Sequence, residues 1–253
     1  MRSIFIRHAD KDFKNGNSDL FKHDPGITEL GVERTKIIAL KLVEECGLPT
    51  RIICSPFRRT RETAMVMNSV LDHPLADIEV DVGLSEYLGN HANVELDVTI
   101  GTQIHHPPHP ESFDQMRGRV HQKLQKIRQE GRGKSKELVW FITHGIIIKQ
   151  IAGAFGIKTS KQVPCLTCFS FVERGSMTRA EFLLFRDFDV TNIPVIKKRS
   201  VNKKSSEKSN SNSSEKNSVK RNAWKSPIIN RIDRILIPPG HTGRDDMTGR
   251  VNK

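Results

Sequence analysis

Short apolar runs alternate with longer amphipathic stretches over the first 190 residues or so of the chain. The runs at 3–6, 51–55 and 137–143 are rich in β-branched and aromatic residues, which is typical of buried strands. Between the first two runs, apolar residues recur at helical spacing. We predict a helix there, with Thr28 as its N-cap and Gly47 as its terminator.

The rest of this region continues the alternation. Three further helices are predicted, over about 59–71, over about 112–129 and directly after Gly145. A short strand is expected at 77–81, and a hairpin over 165–187 is expected to turn near Gly175. Strands that alternate with helices predict an α/β three-layer sandwich, with a mainly parallel central sheet, an antiparallel edge hairpin and helices on both faces. Ligands of such sheets gather at the carboxyl ends of the strands.

Charge and composition change near residue 197. The last 57 residues hold 15 Lys and Arg against 5 Asp and Glu, whereas the first 196 hold 26 against 24, within a total net charge of +12. We therefore predict a catalytic domain over 1–196 and a mostly disordered, low-complexity basic tail over 197–253. A short helix is expected near 226–237, with a transiently helical segment as the alternative. The tail could bind a polyanion or a protein partner weakly, although a solvated linker is the simpler interpretation.

The cellular setting follows from what the sequence lacks. No apolar run reaches the roughly 20 residues that span a bilayer, and the first run is too short for a secretory signal. We expect a soluble cytoplasmic protein, with a nuclear location as the alternative that the basic clusters at 197–199 and 203–204 allow. Cys165 and Cys168 are expected on a strand, where residues three apart face opposite ways, so neither a metal site nor a disulfide is predicted.

Several charged residues and histidines stand where the predicted strands end. Arg7 and His8 follow the first strand, Arg59 follows the second and His144 follows the run at 137–143. Arginine binds phosphate oxygens bidentately, and a neutral imidazole can attack phosphorus if its other ring nitrogen donates to a carbonyl. Glu86, after the strand at 77–81, is the candidate acid, and partial burial is expected to keep it protonated near neutral pH. These side chains predict a phosphate site.

These motifs, taken in order, resemble the histidine phosphatase superfamily, in its phosphoglycerate mutase-like branch. The matching stretches cover about residues 2–186 and are "RHAD", "DPGITELGVERTKIIALKL", "SPFRRTRETA", "LSEYLG", "PESFDQMRGRV" and "FITHG". The alignment of the third stretch selects Arg59 over Arg58 and Arg61 as the phosphate-binding arginine. Two positions depart from the usual pattern. Ala9 replaces a glycine, and Lys14, followed by Asn15, stands where many members have asparagine.

The resemblance implies roles for the candidate residues. His8 would be the phosphorylated nucleophile and Glu86 the proton donor, while Arg7, Arg59 and His144 would bind the phosphoryl group. It implies no metal and no cofactor, and therefore a metal-independent phosphatase acting on a phosphomonoester of a small molecule or a phosphoprotein. The rivals are a phosphomutase of the same fold and a catalytically silent binding module.

Two features close to the site leave further alternatives open. If activity needs a metal, His8, Asp10 and His144 would be its ligands. The segment from about Leu88 to Pro110 is expected to line the pocket entrance. Its three histidines could also ligate a metal, but the prolines between them favour a loop; they are His105, His106 and His109.

Overall fold

A seven-stranded sheet lies at the centre of the structure. The structure, a computed structural model, describes residues 1–13, 24–89, 108–134, 136–159, 162–174 and 177–183, and the backbone of 99–100, 103–104 and 235–237. The strands are β1 (Arg2–Arg7), β2 (Arg51–Cys54), β3 (Glu79–Val80), β4 (Thr99–Ile100), β5 (Gln103–Ile104), β6 (Leu138–Thr143), β7 (Cys168–Arg174), β8 (Met177–Leu183) and β9 (Ile235–Ile237). The helices are α1 (Glu29–Cys46), α2 (Arg58–Ser69), α3 (Phe113–Glu130) and α4 (Gly145–Ala154).

The sheet has a parallel half and an antiparallel half. Its order is β3-β2-β6-β1-β7-β8-β9. The first four strands run parallel to one another, and β1 pairs with β6 from Arg2↔Leu138 to Arg7↔Thr143. From β7 onwards each neighbour is antiparallel. The parallel α/β sheet and the antiparallel hairpin of the sequence prediction are confirmed, and β9 extends the antiparallel side by one strand.

Two apolar cores cover the two faces of the sheet, which confirms the three layers. On one face, Ile4, Ile6 and Trp140 pack with the buried sides of α1 and α2. On the other face, Phe5 and Phe141 pack with α3 and α4. Successive residues of β1 and β6 alternate between the two cores, as a pleated strand requires. The expected near-continuous apolar runs are strands buried on both sides.

The helix ends follow the predicted capping chemistry. The Thr28 hydroxyl accepts a hydrogen bond from the Gly31 backbone N–H at 2.9 Å, and Gly47 ends α1 at φ 90°, where a side chain would be strained. Ser112 and Gln115 form a reciprocal capping box at the start of α3. These caps place the start of α1 next to the end of β1, since the Thr28 N–H donates to the Asp10 carbonyl at 2.9 Å.

The structure corrects two local predictions. Residues 235–237 were expected to end a short helix, but they pair with β8 as β9, because an Ile-Leu-Ile run favours a strand and two prolines follow it. The rest of 226–237, and the predicted disorder of the tail, lie outside the described residues. Cys165 lies in a turn before β7 and not on the strand, while Cys168 is its first residue. All four cysteines are free.

No helix in the described part of the chain has the length and apolar character needed to cross a membrane.

Candidate active site

His8 follows β1 directly and is fully buried at the carboxyl edge of the parallel strands. Its Nδ1 lies 2.7 Å from the Ala9 carbonyl oxygen. Because a carbonyl only accepts, this contact places the ring proton on Nδ1 and leaves Nε2 as the unprotonated nitrogen. Nε2 is buried and has no hydrogen-bond partner among the described residues. The predicted orientation by a backbone carbonyl is therefore present.

His144 follows β6 and meets His8 at the same edge. The His8 backbone N–H donates to the Thr143 carbonyl at 3.0 Å, and the two imidazole rings lie edge to face with 5.3 Å between centroids. Nε2 of His144 lies 2.8 Å from the Ser55 hydroxyl, and Nδ1 lies 3.1 Å from a carboxylate oxygen of Glu86. A carboxylate accepts, so Nδ1 donates to Glu86 and Nε2 accepts from Ser55.

Arg59, in the first turn of α2, brings a buried positive charge into this cluster. Its guanidinium lies 3.4 Å from Asp24 and 3.3 Å from Glu86, and the Arg59 and Asp24 side chains are both fully buried. One of its nitrogens is also 3.4 Å from Nδ1 of His144. The neighbouring Arg58 is half exposed and pairs with Glu62 on the helix surface. The structure therefore places Arg59, as predicted, in the pocket.

Arg7 stands beside the cluster and contacts the loop before β7. Its guanidinium donates to the Val163 carbonyl, while its buried Nε has no partner in the part of the chain that the structure describes. Gly145 allows this approach, because a Cβ there would lie 3.3 Å from that Nε. The structure thus brings His8, His144, Arg59 and Glu86 together and places Arg7 at their side.

The electrostatics of Glu86 differ from the sequence prediction. Burial raises the pKa of its carboxyl, as expected. The interactions with His144 and with the positive charge of Arg59 lower that pKa by more than burial raises it, so it lies below its ordinary range. The expectation that Glu86 is protonated near neutral pH is therefore wrong for the ligand-free site. Sequence position suggested the burial but not the two hydrogen-bond donors that stabilise the carboxylate.

Both pocket histidines are neutral near pH 7. Burial lowers the pKa of His8 well below 6.5, and His144 and Arg59 lower it further. Burial also lowers the pKa of His144, to about 4, although Glu86 opposes that shift. A neutral His8 is the form that can attack phosphorus, since a protonated ring has no lone pair to offer.

The same side chains offer a possible set of metal ligands. Ligand atoms of His8, Glu86 and His144 all lie within 4.8 Å of one another. Asp10, the other acid considered from the sequence, pairs instead with Arg34 at 2.9 Å. The guanidinium of Arg59 lies against both His144 and Glu86, so a cation bound there would meet a fixed positive charge. This donor set fits an anion better than a metal ion.

Three residues of the pocket wall were not selected from the sequence. Ser55 orients His144, and Asp24 holds Arg59. Lys11 lies half-buried near the cluster, where burial and then Arg59 lower its pKa. Ser55 could have been found, because it is the first residue after β2 and so lies at the same edge as His8. Lys14 and Asn15, the positions that depart from the family pattern, lie outside the described residues.

Comparison with known proteins identifies the family of the chain. Residues 3–168 match the family model of the histidine phosphatase superfamily (branch 1). The chain therefore belongs to the histidine phosphatase superfamily. No curated protein sequence matches the chain.

Several solved structures are similar to this chain at low sequence identity. A phosphoglycerate mutase from Bacillus anthracis is 17% identical, with a TM-score of 0.53, over 69% of this chain and 88% of that chain. A phosphoserine phosphatase from Entamoeba histolytica is 15% identical, with a TM-score of 0.47, over 69% of this chain and 91% of that chain. A mycobacterial glucosyl-3-phosphoglycerate phosphatase is 18% identical, with a TM-score of 0.47, over 68% of this chain and 92% of that chain.

Proposed function

We propose that this protein is a metal-independent phosphatase that hydrolyses phosphomonoesters through a phosphohistidine intermediate on His8. The observation that carries the proposal is the state of the His8 ring. Its Nδ1 is held by the Ala9 carbonyl at 2.7 Å, and its Nε2 is buried and unpartnered among the described residues. A nucleophile needs this arrangement, with one nitrogen fixed and the other free to form a bond.

In the first step Nε2 of His8 attacks phosphorus, and the bond from phosphorus to the ester oxygen breaks. Arg59 and the Nε–H of Arg7 supply positive charge and donors to the phosphoryl oxygens, which carry most of the negative charge in the transition state. His144 stays oriented by Ser55, and its Nδ1–H, which the ionised Glu86 holds in the ligand-free site, turns to donate to the same oxygens once substrate is bound. The Nδ1–H contact with Ala9 stabilises the ring once Nε2 carries the phosphoryl group.

The leaving alkoxide needs a proton, and we assign its delivery to Glu86. In the ligand-free site Arg59 lowers the pKa of Glu86, and a bound phosphate dianion draws Arg59 away from that carboxylate. The negative charge of the phosphate also disfavours a second negative charge on Glu86. Both changes raise the pKa of Glu86 when substrate binds, so the carboxyl is protonated in the complex although it is ionised in the ligand-free site. In the second step Glu86 accepts a proton from water, the oxygen of that water attacks phosphorus, and the bond to Nε2 breaks.

A panel of phosphomonoesters tests the activity. The purified protein should release inorganic phosphate from at least one ester, and excess chelator should leave the rate unchanged. Loss of activity on chelation, restored by added metal, would contradict the metal-independent mechanism and would favour His8, Glu86 and His144 as ligands. Conversion of an ester to its isomer without phosphate release would identify a mutase. Binding without turnover would identify a silent binding module.

The basic tail enters the proposal only as a candidate partner site. We infer from its charge that residues 197–253, apart from the strand β9, are not needed for the chemistry. Removing residues 238–253, which lie beyond β9, should leave phosphate release intact. Removing β9 as well tests whether its pairing with Thr178–Ala180 supports the sheet.

A further inference from the structure

His109 packs on Phe57, which borders the catalytic cluster, but it has no role in the chemistry proposed above. Its ring packs edge to face on Phe57, with 6.0 Å between centroids. The Phe57 ring in turn lies 5.0 Å from the ring of His144 and 4.5 Å from the guanidinium carbon of Arg59. One aromatic ring, that of Phe57, therefore separates His109 from the side chains that surround the phosphoryl group.

One arginine fixes the segment that carries His109 to the loop that carries Glu86. The Arg119 guanidinium pairs with the buried carboxylate of Glu111, two residues after His109. The same guanidinium donates to the Gly83 carbonyl at 2.9 Å and to the Ser85 carbonyl at 3.2 Å. Since Glu86 directly follows Ser85, the Arg119 side chain holds both the segment that carries His109 and the loop that carries the proposed proton donor. The negative charge of Glu86 also acts on the His109 ring.

Both ring nitrogens of His109 are enclosed by protein, yet neither has a hydrogen-bond partner in the described ranges. Burying polar atoms without partners is unfavourable, and such atoms in a folded protein call for a bound group that satisfies them. Burial lowers the pKa of His109, so the ring is neutral and offers one N–H donor and one acceptor nitrogen. The N–H can donate to a hydroxyl or a carboxylate, and the acceptor nitrogen can accept from a hydroxyl.

We propose that His109 determines substrate specificity by hydrogen-bonding a hydroxyl or carboxylate on the alcohol part of the phosphomonoester. The proposal rests on the phosphatase function above and deepens it. Glu86 protonates the ester oxygen, and Arg119 ties the His109 segment to the loop that carries Glu86, so we place His109 beside the leaving group and not beside the phosphoryl oxygens. The preferred substrates are therefore esters whose alcohol carries a polar group near the ester oxygen.

The test compares matched esters with and without that polar group. Phosphoglycolate and glycerol 1-phosphate carry it, whereas propyl phosphate and phenyl phosphate do not. His109→Phe keeps a ring against Phe57 and removes both nitrogens. It should lower the ratio of kcat/KM for polar over apolar esters by about 10-fold to 100-fold, the effect of losing one or two well-placed hydrogen bonds. His121→Phe, on the exposed face of α3, is the matched control and should leave the ratio unchanged.

A binding measurement keeps the proposal testable without turnover. Calorimetry on His8→Ala should give tighter binding of phosphoglycolate than of propyl phosphate, and adding His109→Phe should remove the difference. Unchanged ratios and unchanged binding in folded variants would overturn the role of His109 and leave the phosphatase function standing. If His109→Phe does not fold, as judged by circular dichroism, His109→Leu, which also removes both nitrogens, takes its place. Failure of the wild type to release phosphate from all four esters while binding each equally would refute both proposals.

Discussion

The parallel and antiparallel halves of the same sheet bury different kinds of side chain. The parallel strands end in His8, Ser55 and His144, which are fully buried polar groups. The antiparallel hairpin contributes Phe169 and Phe171 to a phenylalanine cluster, in which Phe155 at the end of α4 lies 4.9 Å from Phe171 and 6.0 Å from Phe169 between ring centroids. All four parallel strands deliver their carboxyl ends to one edge, whereas antiparallel strands deliver theirs to alternate edges.

The two halves also differ in how completely their polar groups are paired. In the antiparallel half, Ser170 accepts from Arg2 at 3.1 Å and Glu181 pairs with Arg179 at 3.3 Å. At the parallel edge, Nε2 of His8 has no partner among the described residues. Buried polar groups without partners lower the stability of the folded state, and functional sites commonly combine such groups with activity. The comparison predicts that changes at the parallel edge affect activity and that changes in the hairpin affect stability.

The largest effect is expected at His8. His8→Ala removes the group that becomes phosphorylated, so turnover should fall by at least about 10⁴-fold, as when other covalent nucleophiles are deleted. Because the lost ring is buried with an unsatisfied nitrogen, the free energy of unfolding should not fall with it. Steady-state kinetics and urea unfolding on the same preparation check both points. A variant that is inactive only because it is unfolded would contradict the division between the halves.

Arg59 is expected to have the next largest effect. Arg59→Ala removes one charge-stabilising donor and should lower kcat by about 10²-fold to 10³-fold. It also leaves the buried carboxylates of Asp24 and Glu86 without their shared cation, so stability should fall as well. Arg58→Ala, one position away and half exposed, is the matched control and should change kcat by less than about threefold. Equal losses in the two variants would argue against Arg59 as the phosphate ligand.

In the antiparallel half the expected change is in stability alone. Phe169 is fully buried, and Phe169→Ala should lower the free energy of unfolding by about 3–5 kcal/mol. The kcat of the folded fraction should stay close to the wild-type value, since no proposed catalytic group contacts this ring. Met65→Ala, at a side chain that is 63% exposed, should cost less than about 0.5 kcal/mol. A drop in kcat that exceeds the loss of folded protein would weaken the contrast.

The smallest effect concerns the pH dependence of stability. The pKa of His144 is about 4 in the folded protein and about 6.5 in an unfolded chain. As pH falls through this window the unfolded state binds a proton that the folded state excludes, so stability decreases. His144→Gln should remove up to about 3 kcal/mol of that decrease between pH 6.5 and 4, measured by urea unfolding. Identical pH profiles would show that His144 is not buried in its neutral form.

Much of the fold and the position of the site could be predicted, because both depend on local pattern. The runs that precede His8 and His144 are short and almost wholly apolar, which indicates strands that are buried on both faces of a parallel sheet. Arg59 was separated from Arg58 by motif alignment, and its burial in the first turn of α2 agrees with that choice.

Properties that depend on distances across the fold could not be predicted. The ionisation of Glu86 is set by His144 and Arg59, which are 58 and 27 residues away in sequence. The place of His109 is set by the pairing of Glu111 with Arg119, and periodicity does not reveal such a contact. The strand at 235–237 forms by pairing with the edge of β8, and the sequence of the tail alone does not indicate that this edge is available.

The most direct test of the central claim is to trap the phosphorylated enzyme. The wild-type protein is mixed briefly with a labelled phosphomonoester, quenched in base and analysed by peptide mass spectrometry. We expect acid-labile, base-stable phosphate on His8, less of it as pH falls through the lowered pKa of that ring, and none in His8→Ala. Label on a serine or cysteine, or full turnover by His8→Ala, would contradict the phosphohistidine mechanism.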